Sequence, residues 1–196
     1  MPVSVSVSAP VLPVSVTSET AVSPIAWKRV IGVKAGPRPL VVWISDASTD
    51  AGVEHRTFDD DYVRLASRAF RVVRITRDAA RADPFLAQYA RSEAALVVFA
   101  PDLTHGAETY GPSLDARTAF AAMRTSARAY LGMDLDAAVS RAKALIADEH
   151  ALAGQRATLV RTVPADAVRV AELDRRLAAI HAEMDVVFRP QAQPAR

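Results

Sequence analysis

Residues 38–52 read Arg-Pro-Leu-Val-Val-Trp-Ile-Ser-Asp-Ala-Ser-Thr-Asp-Ala-Gly. Leu40–Ser45 (LVVWIS) is a continuous apolar run, the pattern of a central strand buried on both faces. Working outward, Asp59–Phe70 places Tyr62, Val63, Leu65, Ala66 and Phe70 in a helical pattern behind an acidic first turn, which suits the helix dipole. Arg71–Thr76 (RVVRIT) reads as a second strand, and Pro84 is expected to open a short helix through Phe85, Leu86 and Tyr89. Leu96–Ala100 (LVVFA) is a third strand, and a turn near Gly106 lets Ala107–Tyr110 return antiparallel. Leu114–Leu131 is an amphipathic helix through Phe120, Met123, Ala127 and Leu131, stopped at Gly132. On the other side, Ile25, Trp27 and Val30 fall at roughly helical spacing, closed by the breaker Gly36-Pro37.

The chain has 196 residues, enough for one domain with appendages. Its 51% hydrophobic and 23% charged residues are those of a globular protein, and a net charge of +2 gives no strong field for nucleic acid or an anionic membrane. There is no cysteine, which excludes a disulfide framework, thiol catalysis and thiolate metal sites. No apolar run approaches the ~20 residues that span a bilayer. The first basic residue is Lys28, so the charged start of a secretory signal is lacking, and a cytoplasmic location is the expectation.

Residues 1–24 carry one charge, Glu19, and alternate valine with serine between prolines 2, 10, 13 and 24. Two readings stand: an extended arm without a core of its own, or an arm whose valines add a strand to a partner's sheet edge. At the other end, Val170, Leu173, Leu177, Ile180, Met184 and Val187 are spaced 3, 4, 3, 4, 3, a heptad seam over about three heptads. Leu135, Val139, Ala142, Ile146 and Glu149 trace a weaker stripe upstream. The seam is expected either to close a helical hairpin within the chain or to offer a coiled-coil face to another protein. The organisation expected is thus an arm over 1–24, an α/β domain over 25–132, and a helical extension over 133–196 with helices at about 134–152 and 165–188.

The ordered set of elements resembles bacterial thioredoxin-like domains. The features that carry the resemblance are Trp27 in the lead segment, Arg38-Pro39-Leu40-Val41-Val42 leading into the first central strand, Thr57-Phe58, Phe70-Arg71-Val72-Val73, and Leu96–Phe99 followed by Asp102 and Gly106. It covers about residues 24–131 and implies a three-layer α/β/α sandwich around a mixed central sheet. Two departures stand out. The family's Cys-x-x-Cys falls in Asp46–Gly52, with Ser48 and Ala51 the counterparts of the thiols, and the segment before the third strand is Glu93-Ala94-Ala95 where the family has a cis-proline. Thiol–disulfide exchange is therefore impossible.

Other constellations are weaker. Ser48, His55 and Asp46 could be imagined as a hydrolytic triad, but no Gly-x-Ser-x-Gly elbow is present, and a polar loop is the favoured reading. His55, His105, His150 and His181 have no paired ligand spacing, so no metal is expected. Asp59-Asp60-Asp61 reads as a helix cap and first turn. Arg64, Arg68, Arg71, Arg74, Arg77 and Arg81 read as a solvated mixed surface, not a phosphate track. The expectation is a non-catalytic protein without cofactor, a protein-binding or structural subunit of a larger assembly, with self-association through the C-terminal helix as one mode of contact. A chaperone or maturation factor holding a client transiently is the alternative, and an enzyme using a non-thiol site in the 46–55 loop is the third class.

Overall fold

The computed structural model describes residues 22, 24–28, 33–162 and 166–190. The arm expected over 1–24 therefore lies outside the described residues except for Val22 and Pro24. Strand β1 (Leu40–Ile44) is buried at all five positions. It pairs in parallel with β2 (Arg71–Ile75), with Val42 opposite Val73, and antiparallel with β3 (Ala95–Phe99), with Val42 opposite Val97. Strand β4 (His105–Tyr110) closes the far edge antiparallel to β3, giving the order β2-β1-β3-β4.

Period-2 alternation divides these strands between two cores. Val41, Trp43, Leu96 and Val98 face a large cluster with helices α1 (Ala47–Phe58), α2 (Asp61–Ala66) and α4 (Ala116–Leu131). Leu40, Val42, Ile44, Val97 and Phe99 face a smaller one, covered by α3 (Arg77–Ala82) and by Leu86 and Tyr89. The sheet is thus covered on both faces, and each fully buried Leu, Ile or Val contributes about 1.5–3 kcal/mol.

Four local expectations are corrected. Residues 24–28 are extended, not helical: Ile25 and Trp27 are half-buried, Pro24, Ala26 and Lys28 are exposed, and Lys28 bridges in parallel to Val73. Val30, the third residue of the expected helical pattern, lies outside the described residues. The loop expected at 46–52 is the head of α1, with Asp46 as N-cap and Asp50 in the first turn. The helix expected from Pro84 is replaced by the earlier α3, which Thr76 caps by accepting from the Ala79 N–H at 3.3 Å. Asp83 then takes the N–H groups of Phe85 and Leu86, and only a 3-10 turn at Ala87–Tyr89 follows. Finally, the β3–β4 turn sits at Leu103, with φ of 71°, where Asp102 accepts from the Thr104 N–H and hydroxyl. Gly106 lies inside β4, where a Cβ would stand 2.9 Å from the Val98 carbonyl oxygen.

The extension begins as expected but shares the domain's core. Met133, Leu135, Val139, Ala142 and Phe188 join the Trp43 cluster. Helix α5 (Leu135–Thr162) runs ten residues past its expected end, 162 against 152, because nothing breaks it before Pro164 and Gly154 alone only weakens it. Helix α6 (Ala167–Val187) returns along it, tied by Arg141–Glu183, Glu149–His181 and Arg156–Asp174. An added Cβ at Gly154 would meet nothing within 4 Å. Gly154→Ala should therefore stabilise the protein by about 0.5–1 kcal/mol, raising the thermal midpoint by ~2–3 °C in a melting curve.

Candidate functional site

Because β1 and β2 are parallel neighbours, the chain leaves both at the same edge of the sheet, and α1 and α3 start side by side there. In open α/β sheets the edge beyond the strands' carboxyl ends is where ligands gather. Here that edge is occupied by the protein's own charges. The Arg77 guanidinium, at the head of α3, donates from Nη1 to Asp46 Oδ2 at 2.6 Å and from Nη2 to Asp50 Oδ2 at 2.5 Å. Nη1 also reaches Thr49 Oγ1 at 3.3 Å. The backbone N–H of Arg77 donates to Asp46 Oδ1, and that of Asp46 donates to Asp50 Oδ2. Arg77 and Asp50 are 7% and 6% exposed, so this network is part of the interior.

Burial alone would lower the Arg77 pKa, but the hydrogen bonds it donates to Asp50 and Asp46, with their negative charges, outweigh it and hold the guanidinium above its ordinary value. It remains a fixed cation across the pH range of proteins. Both carboxylates also lie close to the first-turn N–H groups of α1, where negative charge is favoured. The two carboxylates share one guanidinium, so the network carries a formal charge of −1.

Beside it lies a groove of about 400 Å³, lined by Thr49, Asp50, Arg56, Arg77, Glu93 and Gly111 among others. Gly111 has φ of 46°, and its N–H donates to the Ala94 carbonyl. A Cβ on Gly111 would stand 1.8 Å from Glu93 Oε2, so the glycine gives the Glu93 side chain its place.

Ser48 and Ala51, expected at the thiol positions, lie on the exposed side of α1 outside the charge network. The imagined triad is not assembled: Asp46 is committed to Arg77, and His55 pairs with Asp59 one turn on. Asp60 accepts from the N–H groups of Tyr62 and Val63 and so caps α2. Among the described residues no group of three or more His, Asp or Glu side chains could hold a metal ion.

The arginine set does not form one solvated surface. Arg77 is buried, Arg74 pairs with Glu54 at 2.6 Å, Arg81 pairs with Asp78, and Arg64, Arg68 and Arg71 line one cavity. Arg77 was not legible as a lock. The signal available was positional: Asp46 and Asp50 follow the first strand as Arg77 follows the second.

The seam of α6 faces α5. Leu173 is buried, and Val170, Leu177, Ile180, Met184 and Val187 are half-buried, with Met184 and Val187 packed on the main core. The hairpin reading of the heptad therefore describes how the seam packs within the chain. Val160 and Val168, near the far end of the hairpin, are 47% and 80% exposed. No family model, curated protein or solved structure matches this chain.

Proposed function

We propose that the chain is a non-catalytic thioredoxin-like protein, acting as a protein-binding or structural subunit of a larger assembly. The observation that carries this reading is the Arg77–Asp46–Asp50 network, which ties up the charged groups around the segment where the family has its thiol pair, while Ser48 and Ala51 themselves lie exposed beside it. The sheet order β2-β1-β3-β4, with β3 alone antiparallel to the rest, supports the thioredoxin-like part. The α5–α6 hairpin supports the binding part, because its outer half carries exposed valines on a stable two-helix stem.

Two substitutions separate stem from contact surface. Leu177→Asp puts a carboxylate between α5 and α6 and should cost about 1–3 kcal/mol, several degrees in a melting curve, even for an isolated monomer. Val160→Asp with Val168→Asp changes only exposed positions, so it should leave the melting curve within ~2 °C of the parent. The same pair should reduce self-association seen by light scattering, or recovery of partner proteins on the tagged chain from its host. A parent chain that is monomeric and recovers no stoichiometric partner would end the subunit reading.

A further inference from the structure

At the opposite end of the parallel pair from Arg77, a cavity of about 560 Å³ opens between residues 24–28, residues 33–34, the start of β2 and the end of α2. Among the described residues, six cations line it, Lys28, Lys34, Arg38, Arg64, Arg68 and Arg71, and no Asp or Glu does. They come from four separate stretches of chain, so the convergence is a product of the fold. Several cations elsewhere are paired locally, as in Arg74–Glu54, Arg81–Asp78 and Arg141–Glu183. Of these six, Arg64 alone forms an ion pair with a described residue, Asp61 at 3.7 Å.

Two of the arginines are held in place by backbone carbonyls instead of carboxylates. Arg71 donates from Nε to the Arg38 carbonyl and from Nη1 to the Lys34 carbonyl at 2.6 Å. Its Nη2 is buried with no hydrogen-bond partner. Arg38 donates from Nη1 to the Arg68 carbonyl at 3.1 Å. Carbonyl partners fix a guanidinium without cancelling its charge, so the cavity keeps a positive field. Gathering six like charges is costly, and so is a buried donor left unpaired. An oxyanion would relieve both.

The floor is of another character. Ile25, Val33 and Val72 supply it, each half-buried and so still open to contact. A simple inorganic ion would leave that floor uncovered. The volume falls in the range of small-molecule sites, about 300–1,000 Å³. The cations ring one cavity instead of running along a surface, which favours a compact anion over a polymer backbone.

We infer that this cavity binds an organic phosphate, with the phosphate met by the Lys/Arg set and an apolar or aromatic body lying on Ile25, Val33 and Val72. Guanidinium groups suit phosphate because they donate two parallel hydrogen bonds to its oxygens. The site is separate from the Arg77 network and does not depend on the subunit reading.

The test uses the full chain and calorimetric titration with hexyl phosphate, hexanol, adenosine diphosphate, adenosine and inorganic phosphate. A phosphate ester should bind at least about tenfold more tightly than its uncharged parent and than inorganic phosphate, since one charge-assisted contact is enough for that ratio. Tighter binding of hexyl phosphate assigns an alkyl-phosphate source, and tighter binding of the diphosphate assigns a nucleotide. Lys28 and Arg68 are exposed and make no side-chain bond to another described residue that the fold requires. The double variant Lys28→Gln, Arg68→Gln should keep the parent's melting curve and lose about tenfold in ester affinity, while Arg161→Gln, far along the hairpin, should lose none. Four results would each overturn the inference: no ester binding up to ~10 mM, uncharged parents binding as well as their esters, inorganic phosphate binding as well as either ester, or the double variant binding like the parent.

Discussion

Replacing Arg77 with leucine should lower the thermal midpoint by roughly 6–20 °C. The substitution leaves Asp50, 6% exposed, and Asp46 beside it with no cation between them. Removing one member of a buried ion pair costs about 3–5 kcal/mol, because the remaining charge is uncompensated. In a chain of this size each kcal/mol moves the midpoint by about 2–4 °C. Adding Asp50→Asn should return more than half of the loss: the amide oxygen can still accept the Asp46 N–H, and one of the two stranded charges is gone. A single variant melting within ~2 °C of the parent, or a double variant no better than the single, would show that the network contributes little.

Phe58→Ala should be comparably damaging. The Phe58 ring is 6% exposed and stands edge-on to both tryptophans, 4.9 Å from the Trp27 ring and 4.9 Å from the Trp43 ring. It therefore joins the extended 24–28 segment to the centre of the sheet through α1. Truncation of a buried Phe costs about 3–5 kcal/mol, combining lost transfer energy with the cavity left behind. Trp27 loses the ring it packs against, so its emission should shift to the red while the fold persists at low temperature. Phe58→Leu keeps most of the volume and should recover most of the stability, with a cost below about 1.5 kcal/mol. Equal stability of the alanine and leucine variants would mean that the ring stack is incidental.

The parts of the fold that were readable in the sequence are those whose burial is dense. Leu40–Ile44 and Ala95–Phe99 are buried at every position, so their apolar runs are unbroken. α1 was missed because only Thr57 and Phe58 near its end are fully buried among its later residues, and its one buried first-turn residue is Asp50. α3 was missed for the same reason: its buried positions are Arg77 and Ala80, and an arginine is read as surface. At 24–28 the half-buried positions alternate, Ile25 and Trp27, so the period was two where a helical spacing had been inferred. The six-cation cavity was beyond sequence reasoning, since its charges meet only through the parallel pairing of β1 with β2 and the bridge at Lys28.

α5 has a mechanical consequence. Its last residue packed on the main core is Ile146, and the helix runs on to Thr162. At 1.5 Å per residue, the 16 residues between them (162 − 146) extend about 24 Å. Leu152 and Leu173 are buried outside both main core clusters, and the cross-helix pair Arg156–Asp174 lies on this outer section, so it is stiffened along its length. On the subunit reading proposed above, the hairpin would act as a ruler, holding a partner docked at its far end at a fixed stand-off from the sheet. Removing seven residues from each arm, close to two helical turns, would shorten that stand-off by ~10 Å and turn the far end by only ~20°. Distance, not only identity, is thus written into this chain.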